Sequence, residues 1–232
     1  MDIIWQGLQK AARLLLAGDA EVWRVTFLTL QVSGGATLIS LLIGLPLGAV
    51  LALKVFPGRR VAVSLVNTGM ALPPVVVGLV VSVFLWRNGP FGFLHLMYTP
   101  TAMVIAQSII ATPLVTGVAM AGLQQLDPRL NRQILALGAS GVQTFWLLLR
   151  EARLSILAAV MAGLGGVISE VGASMMVGGN VQGQTRVLTT ATVMEVSKGN
   201  FDVAMALSII LLLLTYGITL GITMAQQRKR IS

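Results

Sequence analysis

The chain has 232 residues, of which 56% are hydrophobic and only 10% charged, and its mean hydropathy is +0.87. A soluble globular domain carries about 25% charged residues, so this composition excludes a soluble protein and indicates a chain surrounded mostly by lipid. The net charge of +8 does not indicate nucleic-acid binding, because the basic residues cluster at the edges of apolar segments.

The residue types that most catalytic and metal sites need are scarce. The sequence has no cysteine and one histidine, His95, which argues against zinc, haem and thiol or histidine-based catalysis. It also has no glycine-rich phosphate loop ending in Lys and Ser or Thr, so an ATP site of that type is not expected. We therefore expect no catalytic residue, metal ligand or cofactor in this chain.

The N-terminal segment, residues 1–24, contains a basic amphipathic stretch. Residues 3–16 have apolar side chains at helical spacing with a basic face, which is typical of a helix lying in the membrane interface. A signal peptide is the alternative, but its short apolar core would be interrupted here by Gln9, Lys10 and Arg13. The sequence therefore favours a retained interfacial helix.

Five apolar runs follow, each long enough for the roughly 20 residues that a membrane-spanning helix needs. They are 25–53, 61–86, 100–123, 154–177 and 203–227, and the fourth contains one acid, Glu170. Several contain helix breakers, namely Pro46, Pro73, Pro74, Pro113, Gly163, Gly165, Gly166 and Gly172. Because backbone in lipid must satisfy its hydrogen bonds internally, the sequence predicts an all-α membrane domain over 25–227 with five transmembrane helices.

Lysine and arginine are distributed unevenly between the loops. The first loop, the third loop and the tail at 228–232 hold Lys54, Arg59, Arg60, Arg129, Arg132, Arg150, Arg153, Arg228, Lys229 and Arg230. The second and fourth loops hold only Arg87, Arg186 and Lys198. Since cytoplasmic loops carry the basic excess, the first and third loops and the C-terminus are predicted to be cytoplasmic and the N-terminus external.

A charged amphipathic insert, Arg132–Arg153, separates the third and fourth spans. Four apolar residues come first at helical spacing: Leu130, Ile134, Leu135 and Leu137. A run of four small residues follows: Gly138, Ala139, Ser140 and Gly141. Small residues at a helix end let a partner's backbone approach closely, so we interpret residues 132–153 as a docking insert. An ordinary interhelical loop on the membrane surface is the alternative.

The docking insert resembles the EAA loop by which permease subunits of ABC importers seat on their ATPase partners. The resemblance rests on residues 136–139, on Phe145 and on the location between the third and fourth spans. With the family's glycine aligned on Gly138, residues 132–134 replace its Glu-Ala-Ala triplet and residues 150–151 its Leu-Pro pair. The implied ATPase-coupling residues are Arg132, Leu135, Ala136, Leu137, Gly138, Ala139, Ser140 and Gly141.

A second resemblance follows at Ser169–Leu188, SEVGASMMVGGNVQGQTRVL. This segment is similar to the Gly-Glu-Phe-Gly-Ala … Gly-Asn … Gly-x-Thr stretch of molybdate-type and tungstate-type permeases, although Ser169 and Val171 depart from it. The matching positions are Glu170, Gly172, Ala173, Gly179, Asn180 and Gly183. Residues 150–153 and the five-span length look more like the tungstate branch. The resemblance implies a type I ABC importer permease fold with tungstate as cargo, and molybdate or sulfate as alternatives.

Glu170 is the one acid deep within a predicted span, where a charge costs about 2.5 to 3.5 kcal/mol or more. A carboxylate repels an oxyanion, so we expect Glu170 to cap backbone N–H groups at a helix break or to pair with a basic residue. The predicted gating and translocation residues are Glu170, Gly172, Ser174, Gly179 and Asn180. The polar residues that follow, including Gln182, Gln184, Thr185 and Arg186, are expected to form a solvated external loop. Transient hydrogen bonding to an oxyanion is the alternative.

Two function classes remain. The first is the non-catalytic membrane subunit of an ABC importer in a bacterial or archaeal cytoplasmic (inner) membrane. It would act as a homodimer with two ATP-binding subunits, which use ATP and Mg²⁺, and an external substrate-binding protein. The second is a carrier driven by an ion gradient, but such carriers commonly show internal repeats and several midplane charges. This chain has no evident repeat and one deep acid, so the sequence favours the importer.

Overall fold

The long apolar runs form helices, as backbone surrounded by lipid requires. The computed structural model describes residues 2–228, and the regular structure in that range is helical. The elements are α1 (Asp2–Leu16), α2 (Ala20–Leu53), α3 (Arg59–Met70), α4 (Pro74–Leu85), a 3₁₀ turn (Gly92–Leu94), α5 (Pro100–Gln124), α6 (Pro128–Ala136), α7 (Gly141–Glu151), α8 (Arg153–Ile168), α9 (Gly172–Gly178), α10 (Leu188–Ser197) and α11 (Phe201–Arg228). The all-α prediction is confirmed, and the predicted tail beyond Arg228 lies outside the described residues.

The candidate membrane spans are of two kinds, single long helices and bent pairs of shorter helices. Three helices, α2, α5 and α11, are long and apolar enough to cross a membrane alone. Two pairs, α3 with α4 and α7 with α8, qualify only if each pair counts as one span. The described residues therefore provide three to five spans. The predicted fourth span, 154–177, corresponds to α8 and α9, whereas the bent pair joins α8 to α7 in the docking insert.

The predicted span 61–86 is two helices rather than one. α3 ends at Met70, α4 begins at Pro74, and the two helix axes differ by 100°. Pro73 and Pro74 have no N–H to bond back into α3, and a proline disfavours helical geometry in the residue before it. Each helix has 12 residues and is about 18 Å long at 1.5 Å per residue.

Two other predicted boundaries also differ. The span predicted over 154–177 ends at Ile168, and three non-helical residues separate it from the short helix α9. The first span begins at Ala20 rather than Val25, because the Asp19 side chain caps the helix by accepting the N–H groups of Glu21 and Val22, both at 3.0 Å.

The helices α2 and α5 form the centre of the bundle, and small residues let their backbones approach closely. The Ser40 hydroxyl of α2 donates to the Ser108 carbonyl of α5 at 3.3 Å. Gly48 lies directly against α5, since a Cβ there would be 2.9 Å from the Thr116 carbonyl oxygen. The fit of these two helices therefore depends on positions that have no side chain.

The N-terminal helix α1 packs lengthwise against the first half of α11. Gly7 faces Met205, Lys10 forms a salt bridge with Asp202, and the two helices therefore run antiparallel. Trp5 remains exposed on the outer side of α1. An interfacial position for α1 in the bilayer stays a prediction, and an exposed tryptophan is the kind of residue that anchors such a helix.

The first and third loops lie at the same end of the bundle. An apolar cluster there joins the ends of α2 and α5 to the docking insert; its buried members are Ala49, Leu123, Leu148, Leu149 and Ala152. Arg59, which starts α3, donates through Nε to the Leu51 carbonyl at 2.7 Å. We name this end the docking pole. Its two basic loops are the ones that the charge distribution predicts to be cytoplasmic.

Sidedness can be tested by single-cysteine labelling, because the sequence has no native cysteine. Val142→Cys at the docking pole should react only with cytoplasmic reagents, and Ser197→Cys only with external ones. Both side chains are exposed, and neither takes part in the capping bonds made by Ser140 and Asn200. Labelling of both cysteines from one side in intact cells would contradict the predicted orientation.

Candidate functional site

The docking insert is built around a glycine that closes α6. Gly138 has a φ of +83°, a left-handed conformation that glycine adopts without steric cost. Its N–H donates to the Leu135 carbonyl at 3.0 Å, and the Ala139 N–H donates to the Ile134 carbonyl at 3.3 Å. These two bonds form a Schellman motif, so Gly138 sets the direction in which the chain leaves α6.

The next helix, α7, starts immediately after this turn with a capping box. The Ser140 hydroxyl accepts the Gln143 N–H at 3.3 Å, and the Gln143 side-chain oxygen accepts the Ser140 N–H at 2.8 Å. Such reciprocal bonds satisfy two N–H groups that a helix start would otherwise leave unpaired. The docking insert is therefore two helices joined by a hydrogen-bonded turn, which gives it a defined shape.

The two faces of the docking insert differ in what they contact. The inner face packs on the ends of α2 and α5 through Leu130, Ile134, Phe145, Leu148 and Leu149. The outer face leaves large apolar residues uncovered: Leu137 is 88% exposed, Val142 69% and Trp146 64%. Large apolar residues exposed on a surface that faces water are typical of an interaction site. A partner bound to the outer face and moving with the insert would also displace α2 and α5, because the inner face packs on them.

The apolar residues predicted for docking are divided between these faces. Leu130 and Ile134 point inward, whereas Leu135 and Leu137 point outward. The exposed apolar residues of the insert also include Val142 and Trp146, which were not among the predicted coupling residues. Their spacing crosses a turn between two helices, so helical periodicity could not have grouped them with Leu137.

The second predicted region centres on Glu170, at the break between α8 and α9. Its Oε1 accepts the Ala173 N–H at 2.9 Å, which is the backbone capping expected for this residue. Within the described range Glu170 forms no salt bridge, so the alternative of a basic partner is not observed. The carboxylate thus satisfies a backbone group where α9 begins, and a role in gating remains a prediction.

The short helix α9 lies in a groove between α4 and α5. On the α4 side, a Cβ at Gly78 would lie 2.6 Å from the Ala173 Cα. On the α5 side, the Gln107 side-chain amide donates to the Ser174 hydroxyl at 2.8 Å. The Tyr98 N–H also donates to the Val177 carbonyl at 2.9 Å. The structure thereby brings Gln107, which was not predicted as a functional residue, to the predicted gating segment.

The remaining predicted gating positions lie at the ends of α9. Gly172 starts the helix, and Gly179 and Asn180 end it with left-handed φ values of +68° and +52°. The Asn180 amide donates to the Thr190 carbonyl at 3.4 Å. Glu170, Gly172, Ser174, Gly179 and Asn180 therefore belong to one short element and its two flanks.

The segment after α9 is less solvated than predicted. Thr185 is fully buried. Its hydroxyl donates to the Gly178 carbonyl and accepts the Val181 N–H. Arg186 is mostly buried and forms a salt bridge of 3.1 Å with Glu21 at the start of α2. The expected solvated loop is therefore wrong for these two residues. Hydrogen bonds compensate for the burial of Thr185, and the salt bridge compensates for part of the burial of Arg186, whose Nε has no partner among the described residues.

A cavity of about 420 Å³, with charged and apolar residues in its lining, opens between the start of α2 and this segment, at the end opposite the docking pole. It is lined by Glu21, Arg24, Gln31, Gln182, Gln184 and Arg186, together with smaller and apolar neighbours. Nearby, hydrogen bonds from Asn200 and Lys198 hold the pKa of the Glu195 carboxyl below its ordinary value. This end of the bundle therefore presents charged and hydrogen-bonded side chains alongside apolar ones.

The arrangement of helices is that of ABC transporter permease subunits. A chain of the inward-facing MetNI methionine ABC transporter matches with a TM-score of 0.70 and 21% identity, over 93% of this chain and 97% of that one. A chain of an amino acid ABC transporter crystallised with histidines matches with a TM-score of 0.66 and 19% identity, over 92% and 96%. The type I permease fold predicted from the two resemblances is confirmed.

Residues 44–232 match the model of one protein family, and the chain belongs to that family, the binding-protein-dependent transport system inner membrane components. The tungstate uptake system permease protein of Peptoclostridium acidaminophilum is 37% identical over 227 residues, 98% of this chain and 100% of that protein. The tungstate uptake system permease protein of Campylobacter jejuni is 31% identical, over 93% and 90%. A putative molybdenum transport system permease protein of Bacillus subtilis is 26% identical, over 90% and 95%.

Proposed function

We propose that this chain is the transmembrane permease subunit of an ATP-driven ABC importer for an oxyanion, with tungstate as the cargo. The observation that carries the choice of cargo is the 37% identity with a tungstate uptake permease over 98% of the chain. Relatives named for molybdenum or sulfate transport are less similar, at 26% and 28% identity. Molybdate and sulfate are therefore the alternatives.

The docking insert is the seat of a separate ATP-binding subunit, which hydrolyses ATP with Mg²⁺. Two features support this assignment. The outer face of the insert carries exposed apolar residues, and the hydrogen-bonded turn at Gly138 and Ser140 holds that face in one shape. Because the inner face is fixed to α2 and α5, closure of the ATPases moves the core helices as a body.

Two copies of the chain enclose the path, and a substrate-binding protein delivers cargo at the end opposite the docking pole. The five candidate spans of one copy offer too little surface to surround a path alone. In such a dimer α9 closes the path between transport cycles, and ATP binding switches the two halves between packings. Sites along the path must bind weakly, because a tight site would prevent release.

Uptake by the reconstituted transporter tests the cargo. The chain is combined in vesicles with its ATPase and binding protein, and uptake of radiolabelled tungstate is measured against excess molybdate or sulfate. We expect ATP-dependent uptake that molybdate reduces weakly and sulfate does not reduce. Equal competition by molybdate would support a broader metallate importer, whereas uptake of sulfate alone would rule out both metallates and leave the permease architecture in place.

A further inference from the structure

Gln107 is a buried polar side chain in the first half of α5. It is 3% exposed, and its amide nitrogen donates to the hydroxyl of Ser174, which is 1% exposed in α9. Its amide oxygen has no hydrogen-bond partner among the described residues. A buried acceptor without a partner costs free energy, because folding removes its bond to water. The contact is therefore specific but incompletely satisfied.

The helix that Gln107 contacts is short and is bounded by non-helical chain on both sides. α9 has seven residues, and non-helical chain precedes it while two left-handed residues follow it. Short segments of this kind absorb backbone rotation when an element moves. On the α4 side, α9 packs by close contact at Gly78, with no side-chain hydrogen bond across that interface in the described range. Polar side-chain bonds thus tie α9 to α5 through Gln107 and to the segment after α9 through Thr185, whereas none in the described range ties it to α4.

We propose that the bond between Gln107 and Ser174 is a latch, which holds α9 in the groove while the path is closed and breaks when the path opens. Water reaches the amide oxygen of Gln107 in the open state, and this removes the cost of leaving it unpaired. The freed amide N–H groups and the Ser174 hydroxyl then offer neutral hydrogen-bond donors to an oxyanion. This inference rests on the proposed function for its cargo, although the latch itself is tested without cargo.

Cysteine protection in the complete transporter tests the latch. Val177→Cys places a probe in α9 at a position that is 0% exposed, and Val115→Cys places a matched probe at a 0% exposed position in α5. Both are measured in the chain assembled with its ATPase and binding protein, at rest and after trapping with ATP and vanadate. We expect only Val177→Cys to become reactive on trapping, because α9 moves while the packing of α2 on α5 persists.

Gln107→Leu, added to each probe, isolates the hydrogen bond from general packing. The resting reactivity of Val177→Cys should rise roughly tenfold, the factor expected for losing one buried hydrogen bond, while Val115→Cys stays protected. If Gln107→Leu makes both probes reactive, the bundle itself has loosened and Ser174→Ala serves as the second variant. Unchanged resting reactivity of Val177→Cys in the intact variant overturns the latch, as does protection of Val177→Cys in the trapped state.

The proposed latch and the proposed cargo are refuted by different results. Tungstate uptake with a Val177→Cys probe that never becomes reactive would refute the latch and leave the transport function in place. A probe that responds to ATP and to Gln107→Leu, in a transporter that carries no metallate, would refute the cargo and leave the latch in place.

Discussion

Gly48→Leu is expected to disrupt the packing of α2 on α5 and to leave little of the chain correctly folded. A Cβ at this position would lie 2.9 Å from the Thr116 carbonyl oxygen and 3.2 Å from the Met120 amide nitrogen. Both are backbone atoms of α5, so they cannot turn aside as the end of a side chain can. Overpacking of a core costs about 1–3 kcal/mol, and we expect this substitution at or above the upper end of that range.

Gly34→Leu is the matched control, because Gly34 lies in the same helix and a Cβ there meets nothing within 4 Å. Both substitutions replace a helical glycine by a better helix former, so the difference between them reports the contact with α5. Thermal unfolding in detergent, followed by size-exclusion chromatography, measures that difference. Equal unfolding temperatures for the two variants would contradict close backbone contact at Gly48.

Gly138→Asp is expected to leave the chain inserted and folded while removing most transport-coupled ATP hydrolysis. Aspartate at a φ of +83° adopts a conformation that costs an L residue about 1–2 kcal/mol, so the turn after α6 should change. It also places a charge beside Leu137, whose burial against a partner would be worth about 1.5–3 kcal/mol. Loss of that contact predicts at least roughly tenfold weaker binding of the ATPase subunit.

Gly58→Asp controls for strain and for charge. Gly58 has a φ of +84°, and a Cβ there would meet nothing within 4 Å. It caps the start of α3 at the docking pole but lies outside the docking insert. ATPase co-purification and substrate-stimulated ATP hydrolysis are compared in the two variants. Normal coupling with Gly138→Asp, or an equal loss with Gly58→Asp, would show that the docking insert is not the seat of the ATPase.

The helical fold was predictable from apolar runs, but the bends in it were not. Pro73 and Pro74 were visible as helix breakers, and proline is tolerated within spans such as α2, which contains Pro46. Whether a proline bends a helix slightly or ends it depends on which neighbours satisfy the freed backbone groups. That information lies in other segments of the chain, so the 100° angle between α3 and α4 required the structure.

The site residues that depend on neighbouring sequence could be predicted, whereas those that depend on distant segments could not. Gly138, Ser140 and Gln143 carry local signals for a helix end and a helix start, which depend on neighbouring residues alone. Glu170 was identified by its charge within an apolar run. Gln107 was missed because its significance depends on Ser174, 67 positions away, and no local pattern reports such a pairing.

The bend between α3 and α4 leaves backbone carbonyl groups without hydrogen bonds, which bears on the oligomeric state of the transporter. No donor among residues 2–228 reaches the carbonyls of Ala71 and Leu72, and both residues are exposed. α3 has 12 residues and is about 18 Å long at 1.5 Å per residue, so the bend lies up to that distance from the docking pole. Each unpaired carbonyl facing lipid costs on the order of several kcal/mol. For the proposed span formed by α3 and α4, a second copy or a water-filled passage on the side of the bend would supply the donors that these two carbonyls lack in one copy.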